Sequence, residues 1–531
     1  MHYTLVIYIG LLFVILLLVM LAQRLRISYP IVLVLGGLVL SFIPGLPAIS
    51  INPELIFLIF LPPLLYEAAW YTSWKELWKW RRVVSSFAFL IVLLTSCVIA
   101  WVSSSIIPGF TLALGFLLGG IISPPDAVSA TTVLKGLDVP KRLISIVEGE
   151  SLLNDASSLI VFRFALATVI TGSFTFQAAA ASFFIVIIMG ILTGLAIALV
   201  FYAIHRWLPT TPSIDTVLTF IAPYVMYITA EQFHFSGVLA VVCGGLFLSG
   251  KSHDMLSHRS RMQSVNVWAA VGFVLNGVIF MLIGLELPVI VEQLGDTSLS
   301  DAIKYSLIIT LVVIVSRLLC TLGASLFTRV ISNVITTADS NPGWRMPLLF
   351  GWAGMRGVVS LAAALSIPLY INGTQPFPQR NLILFITFVV ILVTLVFQGL
   401  TLPLMVRWLK PHAEDSPLSE LEQDTLIRKK LAKTALELLS ERYSDEVDTN
   451  ELLIQMKNGL ESKQVFLEHF TSDPDVHQSI SRYRNIFQEV LAAQRDLLKR
   501  MNRKAEFDEE IIRKHFSMLD MEEEKLENHL H

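Results

Sequence analysis

Apolar residues run along this chain in long blocks, broken by short polar stretches, up to about residue 408. From about residue 411 the pattern reverses and charges recur every few positions. The blocks are of roughly 20 or more residues, the length with which a helix crosses a ~30 Å hydrocarbon layer. They predict an all-α polytopic membrane protein with about thirteen transmembrane helices. The spans lie near residues 3–22, 30–47, 53–72, 82–106, 110–134, 143–171, 176–204, 213–232, 235–250, 264–287, 303–328, 344–370 and 381–408. The block at 3–22 has no basic segment ahead of it and no cleavage site, so it reads as the first helix rather than as a removed signal.

The loops add a topology. With the N-terminus outside, the cytoplasmic connections hold 17 of the Lys and Arg residues, from Arg24 to Lys410, and the outer ones only Lys304 and Arg380. Such asymmetry follows the positive-inside rule, supports an odd number of spans and puts the C-terminus in the cytoplasm. The expected division is a transmembrane domain over 1–410 and a cytoplasmic, mostly helical domain over 411–531. The second carries 26 acidic against 17 basic residues. Its segment 418–443 has few helix breakers, whereas Asp473-Pro474 and Asp508-Glu509-Glu510 suggest interruptions. It reads as a solvated accessory or dimer-contact domain, or as a regulatory sensor with a partner of its own.

Composition agrees: 54% of residues are hydrophobic and 15% charged, against about 25% charged in a soluble domain. Cys97, Cys243 and Cys320 all sit in apolar blocks with no metal-binding spacing and read as small buried hydrophobes. No nucleotide loop, metal motif or nucleophile–base set appears, so neither an enzyme nor a resident cofactor is expected, and nothing points to nucleic acid.

The candidate chemistry lies in the residues that break the membrane pattern. A charge at mid-bilayer costs at least ~2.5–3.5 kcal/mol, so it faces the protein interior or a water-filled path. Glu67, Asp126, Glu148, Glu150, Asp155, Arg163, Arg317 and Arg356 are the violators. The sixth span has the densest cluster, EGESLLNDASSLIVFR. On a helix Glu148, Ser151 and Asp155 share one face, and Glu150 and Asn154 form an adjacent stripe. Asp155 thus sits in a wall of oxygen atoms, where one carboxylate can hold a hard monovalent cation or a proton. Glu148, near the cytoplasmic end, suits a structural bridge as well as this site. Arg163 suits a partner on a neighbouring helix, or the cap of a polar cavity.

Two spans are interrupted. In GGIISPPDAVSATT, near 110–134, Pro124 and Pro125 remove two backbone donors. Asp126 then lies beside a half-helix N-terminus, where negative charge is favoured. In GWAGMRGVVS, near 344–370, Gly351, Gly354 and Gly357 surround Arg356, whose charge suits a half-helix C-terminus. A broken helix survives in lipid only when buried or lining a cavity. The interruptions lie seven spans apart, so spans 1–6 and 8–13 correspond as two six-helix repeats. An odd offset inverts the second, and paired breaks in inverted repeats mark a secondary transporter's site.

These segments, SPPDAVSA, EGESLLNDASSLIVFR, the Arg317 segment VIVSRLL and GMRGVVSLA, resemble bacterial sodium–proton antiporters of the NhaP and mammalian exchanger type, in the cation/proton antiporter superfamily. The likeness spans about residues 1–410 in order and spacing. It implies a homodimer with a mobile six-helix core in which the broken helices cross. It implies Asp155 as the ion- and proton-binding carboxylate with Asn154 as its partner, and Ser151 and Glu67 as further ligands of the transported Na⁺. It makes Asp126 the broken-helix carboxylate, Glu150 and Arg317 a buried ion pair, and Arg356 the arginine of the other broken helix. One departure stands out: family members often carry Thr-Asp-Pro where this chain has Pro125-Asp126-Ala127, which removes the ligand a threonine would supply.

The resemblance implies exchange of Na⁺, with Li⁺ as a second substrate, for H⁺ in a bacterial inner membrane. Asn154 beside Asp155, in place of a second acid, implies one charge exchanged for one. Asp126 is expected to stay ionised beside the half-helix N-terminus with a polar neighbour such as Asn154. K⁺/H⁺ exchange is the alternative on the same fold. A channel lacks support because no filter segment repeats, and a non-transporting sensor would have to act through the tail.

Overall fold

Lipid offers a bare N–H or C=O no partner, so a long apolar chain is driven to satisfy its backbone within helices. The computed structural model describes residues 2–43, 58–137, 139–173, 176–294, 297–331, 343–371, 375–411, 420–447, 449–469, 475–502 and 508–530. Residues 44–47 of the second predicted span, 53–57 of the third, the first residues of the 418–443 segment and the Asp473-Pro474 interruption lie outside them.

The chain divides into two compact units, Met1–Asp415 and Ser416–His531. In the first, α1 (His2–Leu25), α2 (Tyr29–Ser41) and α3 (Leu61–Tyr71) precede α4 (Arg81–Ile106), which carries a π-helical turn at Ser86–Ile91. The first interrupted helix follows as α5 (Leu112–Ile122) and α6 (Ala127–Leu134), then α7 (Lys141–Thr171), α8 (Phe176–Trp207), α9 (Pro212–Gln232) and α10 (Gly237–Gly250). After α11 (His258–Leu285) and α12 (Leu299–Ile331) come the halves of the second interrupted helix, α13 (Arg345–Trp352) and α14 (Val358–Leu365), and finally α15 (Arg380–Leu409), with a π-helical turn at Thr394–Gln398. Nine helices among the described residues are long and apolar enough to cross a membrane, with Tyr29–Ser41 and Gly237–Gly250 as shorter apolar ones. A two-stranded antiparallel ribbon sets Tyr370 opposite Pro376 and Ile371 opposite Gln375.

Local sequence explains the starts and stops. Thr111, Thr211, Ser236 and Ser257 each cap a following helix through a side-chain oxygen, and α7 ends on Gly172 in the left-handed region at φ 70°. Small residues set one close crossing: a Cβ at Gly284 would collide with Val34 O and one at Gly37 with Met281 O, so α2 and α11 meet backbone to backbone.

The apolar interior of this unit forms two clusters. One joins Leu33, Ile121, Leu349 and Phe388 with their neighbours. The other gathers Tyr66, Met226, Leu239 and Trp268. Helix α7 contributes to both, Ile146 and Phe162 to the first and Leu152 and Ala156 to the second. The second unit has four longer helices, Glu420–Arg442, Glu451–His469, Asp475–Met501 and Glu509–Leu530. Arg495 ties the last two together through Asp520 at 2.6 Å and through Glu523.

Candidate functional site

Pro124 and Pro125 have no N–H to give, and α5 stops at Ile122. Asp126 leaves helical geometry (φ −96°, ψ 121°) and caps α6. Its carboxylate accepts from Val128 N and Ser129 N, both at 3.2 Å, and from Ser129 Oγ at 2.5 Å. Ala127 N donates to Ser151 Oγ at 3.1 Å. Three of the half-helix's first amides thus meet side-chain oxygens, as a buried helix start requires.

The second break supplies what the first lacks. Met355 O accepts Asp126 N at 2.7 Å. A Cβ at Gly357, the residue that opens α14, would lie 2.6 Å from Asp126 Oδ2, so only glycine allows this approach. Asp126 therefore stands at the N-terminal ends of both second halves, where helix dipoles favour an anion. Arg356, fully buried, reaches back across the crossing. Its Nε donates to Ile122 O at 2.9 Å, one Nη to Ser123 O at 3.3 Å and the other to Gly354 O. The half-helix C-terminus that this cation suits belongs to the other broken helix. Its backbone N donates to Thr394 Oγ1 at 3.1 Å, in the π-helical turn of α15.

The two stripes of α7 separate as the spacing predicts. Glu150 turns to Arg317 on α12 in a bidentate pair at 2.8 and 2.9 Å, and Arg317 also reaches Phe350 O at 3.4 Å. Asn154 Nδ2 donates to Pro125 O at 3.0 Å, taking up a carbonyl freed by the break. The side chain that meets Asp126 is accordingly Ser129, where Asn154 was expected. The other stripe faces a cavity of about 270 Å³ lined by Glu67, Asp126, Ser151, Asp155, Glu148 and Lys135, with Asn276 and Thr132 among the remainder. Among the described residues neither Asp155 nor Glu67 forms an ion pair, whereas Glu148 pairs with the exposed Lys135 at 3.4 Å. The Glu67 carboxylate occupies space left by Gly272 on α11. Four of the five residues proposed to bind the ion thus line one cavity, and the fifth, Asn154, holds the break that forms its wall. No three acidic, histidine or cysteine groups among the described residues converge as a metal cage. Any cation held here would draw on hydroxyl and backbone oxygens as well.

Arg163 pairs with Glu231 at 2.5 Å, and Glu231 also accepts Gly237 N at 3.2 Å, so this charge pins α7 to α9 and α10. Sequence reasoning missed Glu231. It also missed the buried pair of His205 Nδ1 and Asp215 Oδ1 at 2.8 Å, whose second carboxylate oxygen accepts Ser260 Oγ at 2.7 Å. Asp215 sits in the first turn of its helix, where an acid needs no other explanation. Thr394 was missed too, and no charge or motif marks it.

A family profile described as sodium/hydrogen exchanger, transmembrane, matches residues 10–408. A Bacillus subtilis protein named sodium, potassium, lithium and rubidium/H⁺ antiporter is 32% identical, the alignment covering 88% of this chain and 70% of that one. The low-affinity Na⁺/H⁺ antiporter NhaS1 of Synechocystis is also 32% identical, over 83% of this chain and 80% of its own length. Among solved structures the sodium proton antiporter MjNhaP1 of Methanocaldococcus jannaschii superposes with a TM-score of 0.61 at 20% identity, over 77% of this chain and 99% of that one.

Proposed function

The chain belongs to the sodium/hydrogen exchanger family, and from that premise we propose that it exchanges Na⁺, and Li⁺ as a second substrate, for H⁺ by alternating access at the cavity around Asp155. One observation carries the reading: Asp155, Asp126, Glu67 and Ser151 line a single cavity at the crossing of two interrupted helices, and among the described residues no cationic side chain pairs with Asp155. Deprotonated Asp155 binds the cation with Ser151, Glu67 and water. Protonation releases it. The neutralised forms cross and the bare carboxylate does not, because moving an unpaired charge through a dry interior is too costly. Asp126 is already balanced by amides and Ser129 and stays ionised throughout. A single titrating acid then exchanges one proton for one monovalent cation with no net charge moved.

The reading includes thirteen spans in two inverted six-helix repeats, the N-terminus outside and the acidic C-terminal unit in the cytoplasm. It also takes the chain as a homodimer in a bacterial inner membrane, with residues 1–410 transporting and 411–531 offering a contact for a second copy or a regulatory partner. A second reading, K⁺/H⁺ exchange, is favoured by the B. subtilis relative, whose name includes potassium. Proteoliposomes of the purified chain distinguish the two by proton release on adding Na⁺, Li⁺ or K⁺. With the membrane potential clamped, Na⁺-driven exchange should be unchanged. Na⁺ uptake driven by an imposed potential without a pH gradient would overturn the one-for-one scheme and bring Asp126 into the cycle.

A further inference from the structure

A second cavity of about 930 Å³ opens between α4 and α12, with α13 at its back, and shares no lining residue with the ion cavity. Lys79, Arg81, Arg82 and Arg142 line it, with no carboxylate among the described lining residues; Glu76, outside the lining, lies 3.9 Å from Lys79. Its back wall is apolar and buried, formed by Phe87, Ile146, Met346 and Phe350. At its rim Leu90, Leu94 and Phe327 are exposed. Leu94 lies 12 residues beyond Arg82, about 18 Å along the helix at 1.5 Å per residue. The cationic end is also the start of the apolar span Arg81–Ile106, where exposed aromatic and basic side chains mark a membrane interface: Trp74 and Trp78 stack there at 5.8 Å, and the Arg81 guanidinium lies 4.6 Å over Trp78.

Clustered cations at headgroup level and an apolar groove running toward mid-bilayer match the two ends of one kind of molecule. We propose that this cavity binds one phospholipid with an anionic headgroup, its phosphate among Lys79, Arg81, Arg82 and Arg142 and an acyl chain along Leu90, Leu94 and Phe327. An inorganic phosphate would use the cationic end alone and leave the groove unexplained. Bound lipid bears on the transport core: Phe350 meets Phe87 edge-on at 5.7 Å, and its carbonyl accepts from Arg317 of the buried ion pair.

The test is native mass spectrometry and thermal melting of the purified full chain in neutral detergent, titrated with phosphatidylglycerol, phosphatidylcholine or inorganic phosphate. Phosphatidylglycerol should remain as one molecule per chain and raise the melting temperature, and the other two should do neither. Lys79→Gln combined with Arg82→Gln should weaken that binding about thirtyfold. Gly323→Phe serves as a second variant, because Gly323 lines the cavity and a Cβ there meets nothing within 4 Å. It should fold and melt normally without lipid and lose the lipid-dependent rise, which decides the matter if the charge variant fails to fold. Phosphatidylglycerol retained by Gly323→Phe as by wild type would mean non-specific lipid contact and overturn the proposal. So would inorganic phosphate reproducing the rise, since the site would then take a small anion.

Discussion

Glu150 and Asp155 lie five residues apart on one helix and are both buried, 1% and 7% exposed, yet their surroundings are opposites. Glu150 meets a guanidinium squarely, with both oxygens bonded. Asp155 has no such partner among the described residues and faces a cavity shared with three more carboxylates, Glu67, Asp126 and Glu148. Burial alone does not separate a structural charge from a working one. What separates them is whether the bonding capacity of the charge is closed by the protein or left for something that comes and goes.

The comparison predicts opposite signatures for the two acids. Asp155→Asn should bring Na⁺-driven proton release in proteoliposomes down to background while the melting temperature stays within about 2 °C of wild type; appreciable exchange by this variant would move the ion site elsewhere. Glu150→Gln or Arg317→Met should do the reverse and destabilise first, by roughly 3–5 kcal/mol, because each strands a buried charge or its donors. Glu150→Met with Arg317→Met should melt higher than either single variant, and a double variant worse than both would mean that the pair is not isolated. Gly357→Ala tests the crossing that brings Asp126 into the Asp155 cavity. Its new methyl would press on the Asp126 carboxylate, costing about 1–3 kcal/mol as an overpacked site, and transport should fall by more than the loss of folded protein explains. Lys135→Gln should matter least: Lys135 is exposed and its partner Glu148 only half-buried, so melting should not change and the Na⁺ concentration for half-maximal exchange should shift by less than about fivefold.

Much of this geometry is legible in the sequence because it is written in backbone chemistry. Two adjacent prolines and a triplet of glycines locate the breaks, and helical spacing on α7 separates the Ser151–Asp155 face from the Glu150–Asn154 stripe. What could not be read is which distant atom each exposed group would find. Arg356 suits a helix C-terminus by charge, but nothing local says that the carbonyls are those of Ile122 and Ser123. Asn154 looks like a companion for a carboxylate and instead holds Pro125 O, because the break creates an acceptor that a continuous helix would not offer. His205 and Asp215 sit near helix ends, where charge is ordinary, and only the packing of Ser260 against them shows that they are enclosed.

The reciprocal capping of the two breaks also sets an order of assembly. Ile122 O and the guanidinium that bonds it are 234 positions apart, so at 5–20 residues per second the ribosome makes them roughly 10–50 s apart. During that interval α5 and α6 enter the bilayer with carbonyls exposed that lipid cannot satisfy. The first half of the chain should therefore stay in a protected or water-accessible setting until the second break emerges. Nascent chains halted shortly before and shortly after Arg356 has left the insertion machinery should differ sharply in protease sensitivity around Pro124-Pro125. Equal resistance in both would mean that the first interrupted helix closes without its distant cap.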